Sequence, residues 1–107
     1  MAEGDASSDP TQRYVDALKH PMRREILRLA VASREAISPV RASQALDEHL
    51  SNVSYHVRVL VDHGLMTPAH TSRTRGAVEH FYVVEPNALE HPVVKAFFGR
   101  CGCSADS

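Results

Sequence analysis

The segment that most constrains this chain is Ser51–His63, SNVSYHVRVLVDH, with Gly64 directly after it. Advancing about 100° per residue gathers Val53, Val57, Leu60 and Val61 on one side, while Ser51, Tyr55, Arg58, Val59 and Asp62 point the other way and Asn52 and Ser54 sit on the flanks. The spacing predicts a helix capped by Ser51 and ended at Gly64, where a left-handed residue is wanted. Such a helix buries one edge and offers a polar, aromatic and basic edge to something else. Beyond Gly64 the pattern turns extended: Leu65 to Thr71, then Ser72-Arg73-Thr74-Arg75-Gly76, then Val78 to Val84, rich in β-branched and aromatic residues. That is a hairpin with a basic tip, whose first strand should be an edge strand or bulged at Pro68.

Upstream, Tyr14, Val15 and Leu18 mark a short helix from Thr11, interrupted at His20-Pro21 because the residue before proline is pushed out of the α region. Pro21 suits the first turn of a second helix with an apolar stripe of Met22, Ile26, Leu29 and Ala30; Arg23, Arg24, Arg28 and Arg34 lie mostly elsewhere on its surface, a pattern usual for a solvated face. Ser38-Pro39 opens a third helix, supported by Val40, Ala42, Ala45 and Leu46 and blurred at its end by Asp47-Glu48-His49. A last helix is expected over Ala88 to Phe98, capped by Asn87, with Pro92 shifting or kinking its start. The fold class is therefore mainly α with a small β-hairpin, over residues 11–98. Residues 1–10, with three acidic side chains and no large apolar one after Met1, read as a disordered tail, and 99–107 as a flexible one.

A chain of 107 residues supports one modest core, not a large enzyme with a roomy cavity. No apolar run approaches a membrane span, and the acidic start lacks the features of a secretory signal, so the expected compartment is the cytoplasm. Catalysis is not expected: Ser54 and His56 diverge by about 200° on a helix, and no pocket motif accompanies them. A net charge of −1 argues at face value against a nucleic-acid partner. The charge is unevenly placed, however: residues 1–10 carry −3, whereas residues 11–35 carry +3 and 51–80 carry +1.

A short helix, a tight connection and a second helix with an exposed polar edge is a helix-turn-helix, whose second member fits the major groove of DNA. Arginine pairs there with guanine edges, asparagine with adenine, and hydroxyls with phosphates or bases. Arg73 and Arg75 at the hairpin tip suit the backbone or minor groove. The runs ALKHPMRREILRLA (Ala17–Ala30), SNVSYHVRVLVDHGL (Ser51–Leu65) and TRGAVEHFYVV (Thr74–Val84) together resemble the winged helix-turn-helix regulators of the ArsR type. The resemblance implies a dimeric bacterial transcription factor, usually a repressor, binding double-stranded DNA. It places Ser51, Asn52, Ser54, Tyr55 and Arg58 in the recognition helix and Arg73, Thr74 and Arg75 in the wing, spanning residues 71–78, and assigns dimerisation to Tyr14–Leu18 and Leu89–Phe98. It implies no metal site, because Pro39–Leu46 has no cysteine and Glu90-His91 lacks spaced partners; no cofactor is expected and the effector is unnamed. Two other readings stay open: a winged helix that docks a protein without binding DNA, and a thiol-based metal or redox sensor using Cys101 and Cys103.

Overall fold

Proline sets the helix boundaries. In the computed structural model, which describes residues 10–98, the chain forms α1 (Thr11–Leu18), α2 (Pro21–Ser33), α3 (Pro39–Leu46), α4 (Leu50–Asp62), β1 (Met66–Thr74), β2 (Ala77–Val84) and α5 (Pro86–Glu90), and helical turns resume over 92–98. α2, α3 and α5 each begin on a proline, and the residues before them, His20, Ser38 and Glu85, are extended. Two of these also act as side-chain caps: His20 Nδ1 accepts from the Met22 amide at 3.1 Å, and Ser38 Oγ from the Arg41 amide at 3.2 Å. His91 repeats the arrangement before Pro92, with Nδ1 accepting from the Val93 amide at 3.2 Å.

The same rule corrects two expectations. Asn87 does not cap the last helix; it lies inside α5, which Pro86 opens, and the extended His91 breaks the expected continuous helix before 92–98. Ser51 does not cap α4 either. Asp47 takes a left-handed conformation (φ 56°) and lets the Glu48 amide bond back to Ser43, so the chain re-enters a helix at once. The amides of Asn52 and Val53 then both bond the carbonyl of His49 at 3.1 Å. The helix therefore starts at Leu50.

β1 and β2 pair antiparallel from Met66 opposite Val84 to Thr74 opposite Ala77, with the expected irregularity at Pro68/His70. The turn is the pair Arg75-Gly76, both with positive φ (52° and 82°), the backbone that matches the twist of a two-residue hairpin. The outer edge of β2 takes a short bridge from Ile37, whose amide and carbonyl bond Tyr82 at 2.8 and 2.9 Å. β1 thus remains the free edge, where Pro68 withholds no needed donor.

The core is formed by Leu18, Ile26, Leu27, Val53, Leu60, Leu65 and Val94, all fully buried, and α4 packs at once on α2, α3 and β1. Two arginines of α2 finish α1 rather than face solvent. Arg23 Nε donates to the Ala17 carbonyl at 2.6 Å and Arg24 Nη1 to the Leu18 and Lys19 carbonyls at 2.6 and 3.1 Å, satisfying the acceptors that a helix C-terminus leaves open. Replacing Arg24 with alanine should lower the unfolding free energy by about 1–2 kcal/mol in urea melts; a change within about 0.3 kcal/mol would mean that these bonds are not held in solution.

Candidate nucleic-acid interface

α4 divides along its length as its periodicity requires. Val53, His56, Val57 and Leu60 are buried, and Ser51, Asn52, Ser54, Tyr55, Arg58 and Asp62 are exposed; Tyr55 is 61% exposed despite its aromatic ring. The five α4 residues expected to meet a partner are thus all at the surface. On the hairpin Arg73 and Arg75 are exposed as well, and Thr74 is the last residue of β1. Arg73 stands directly opposite Val78, so both side chains leave the same face of the hairpin.

A cleft of about 370 Å³ joins the two elements. Leu50, Ser54 and Arg58 of α4 line it on one side, Val78, His80 and Tyr82 of β2 on another, and Val40 of α3 also lines it. Since Val78 lines this cleft, Arg73 opposite it and Arg58 across it belong to one side of the molecule. The hairpin is fastened there: Ser38 Oγ donates to the Glu79 carboxylate, Arg41 Nε lies 3.7 Å from the same oxygen, and the Arg41 guanidinium covers the Phe81 ring at 5.4 Å. This clasp between α3 and β2 escaped the sequence reading, because its members are about forty positions apart and only the Ile37–Tyr82 bridge brings them together.

The arginines fall into two groups. Arg23 and Arg24 are hydrogen-bonded to backbone, Arg28 pairs with Glu25, and Arg41 with Glu79. Arg58, Arg73 and Arg75 have neither an ion pair nor a side-chain hydrogen bond with any described residue. Arg13 and Arg34 are unpaired too, but Arg34 flanks Val83 and Val84, at the end of β2 remote from the turn.

His56 is the buried member of α4 that carries chemistry, as a packed, hydrogen-bonded core histidine. It is 9% exposed; Arg23 Nη1 approaches its Nδ1 at 3.3 Å and the His20 ring lies 4.3 Å away, with Tyr55 at 5.1 Å on the outer side. An arginine can only donate, so the contact assigns Nδ1 as acceptor and the proton to Nε2. Burial first, then the neighbouring His20 and Arg23, hold the His56 pKa below its ordinary value. The folded chain therefore binds this proton less readily than the unfolded chain, whose histidine titrates near about 6.5. Its contribution to stability is complete above that pH and is lost as pH falls toward the depressed folded value. The thermal midpoint should drop between about pH 7 and pH 5, and His56→Gln should flatten that drop; equal pH profiles for the two proteins would contradict it.

Cys101 and Cys103 lie outside the described residues, and among the described residues there is no group of three or more His, Cys, Asp or Glu side chains placed to hold a metal ion. Nor is any described helix long and apolar enough to cross a membrane.

Two helices joined by three residues, the second with an open polar edge, and a fastened two-stranded hairpin beside it define a winged helix-turn-helix. Residues 18–69 match the family described as a helix-turn-helix domain, and the chain shares its winged helix-turn-helix fold with solved structures. Reduced HlyU from Vibrio cholerae superposes with a TM-score of 0.65 at 19% identity, over 96% of each chain. The homodimeric winged helix-turn-helix DNA-binding domain of Mb0332 from Mycobacterium bovis, a possible ArsR-family transcriptional regulator, gives 0.66 at 20% identity, over 99% of this chain and 87% of that one. NolR from Sinorhizobium fredii gives 0.62 at 18%, over 95% and 90%. No curated protein matches the sequence.

Proposed function

We propose that the protein is a homodimeric transcriptional repressor that binds double-stranded DNA, with α4 in the major groove and the hairpin on the adjacent backbone or minor groove. The observation that carries this reading is the unpaired trio Arg58, Arg73 and Arg75, on two elements that share one cleft. A charged side chain without a partner among the described residues is available to a phosphate or a base edge at no cost in broken contacts. Arg58, midway along α4 and exposed, takes the base-reading role, with Ser51, Asn52, Ser54 and Tyr55 beside it; Arg73 and Arg75, with Thr74, take the backbone role.

The homodimeric state of Mb0332 supports a dimer. Tyr14 and Leu18 are themselves buried within the protomer, so the second copy would meet the open side of α1 together with the outer surface of α5 and 92–98, where Leu89, Lys95 and Phe98 line a shallow depression. Two-fold symmetry would set the half-sites about 34 Å apart as an inverted repeat. The near-neutral balance of the whole chain predicts modest non-specific affinity and easy release as salt rises. Such a protein works beside the chromosome, in the cytoplasm of a bacterium.

Binding measured against salt on a selected operator and on random DNA tests the roles separately. Arg58→Ala should cost about 1–3 kcal/mol on the operator and relax specificity at one position per half-site. Arg73→Ala or Arg75→Ala should weaken both DNAs alike and reduce the salt slope by about one per lost phosphate contact. Operator affinity unchanged in Arg58→Ala would refute the assigned reading face, and absence of any salt-dependent binding by the wild type would favour a protein-docking winged helix.

A further inference from the structure

The first residue of α4 is an apolar side chain held open to solvent. Leu50 is 46% exposed, and it lines, together with two other exposed aliphatic side chains, Val40 (39%) and Val78 (48%), the cleft that Arg58 also lines. Three of the five large exposed hydrophobic residues among those described therefore rim one feature. A single exposed leucine needs no explanation, but a group of exposed aliphatic side chains around one cleft does. The position is unusual in a second respect: the first turn of a helix favours acidic or hydroxyl side chains, which meet its free amides and positive dipole end, and leucine uses neither.

Leu50, Ser54 and Arg58 follow one another at intervals of four residues and line the same wall. In the DNA complex proposed above, the N-terminal residues of this helix meet the base edges. Phosphates and the donor and acceptor groups of the bases give an aliphatic side chain nothing, and the one apolar group that the major-groove edge displays is the thymine C5-methyl. We infer that Leu50, backed by Val40, is a specificity-determining residue that reads a thymine methyl in each operator half-site. Leu50 lies eight residues from Arg58, about 12 Å along the helix axis, so the thymine falls within about four base pairs of the position Arg58 reads, at a rise of about 3.4 Å per pair.

This inference rests on the DNA-binding reading, and its test separates the two. A preferred sequence is first selected from random duplex DNA with the full-length wild-type chain; then each thymine in turn is replaced, symmetrically in both half-sites, by uracil, which removes only the C5-methyl. One thymine per half-site should stand out, with uracil there weakening the wild type by about four-fold per half-site, the worth of one buried methyl. Leu50→Ala, an exposed position whose loss leaves the core intact, should bind the thymine and uracil duplexes equally. Failure to select any preferred sequence would overturn the DNA-binding reading and this inference with it. Specific binding in which no thymine is sensitive to uracil, or sensitivity that persists in Leu50→Ala, would overturn this inference alone.

Discussion

Everything on the outer side of this molecule depends on the burial of one edge of α4. Val53, Val57 and Leu60 are almost completely withdrawn from solvent, and because α4 meets α2, α3 and β1 together, its rotation about its own axis is set by three neighbours rather than one. Turning the helix by one residue would swing about 100° of surface, exposing valine and leucine and burying Arg58 or Tyr55. The stabilisation of about 1.5–3 kcal/mol that each buried aliphatic side chain brings is thus also what aims the polar edge. Packing and presentation are the same constraint.

The division of arginines follows from this arrangement. Arg23 and Arg24 end α1 by bonding its last carbonyls, and Arg24 and Arg28 also cover Phe97 and Phe98 at 5.9 and 5.6 Å. Much of the positive charge of residues 11–35 is therefore structural. The charge left over for a partner sits on α4 and at the hairpin turn, and the Glu79 clasp to Ser38 and Arg41 keeps those two places in a fixed relation. An acidic residue beside a proposed nucleic-acid surface would oppose binding if it were free; here its negative charge is taken up by a hydroxyl and a guanidinium.

How much of this was legible in the sequence depends on the range of the interaction concerned. The two faces of α4, the hairpin with its irregularity at Pro68 and the helix starts at Pro21 and Pro39 all follow from periodicity and local backbone restriction, and each is where the residues place it. Ser51 and Asn87 misled because a good capping side chain is a weaker determinant than a left-handed Asp47 or a proline one position earlier. That slip of one residue also hid Leu50, which then seemed to lie outside the helix. Contacts between distant segments could not be read at all: nothing near Arg24 in the chain says that it will cap the preceding helix, and Ser38 and Glu79 meet only through the Ile37–Tyr82 bridge.

The most direct measurement of the central claim, that α4 and the hairpin tip form one DNA-facing surface, is a titration of the isotope-labelled protein with a selected operator duplex, followed through its backbone and arginine side-chain NMR signals. The account predicts that the largest changes fall on residues 50–58 and 72–78, with the Arg58, Arg73 and Arg75 guanidinium signals shifting together. Changes concentrated instead on α1 and the outer surface of α2, with those three arginines unmoved, would contradict it.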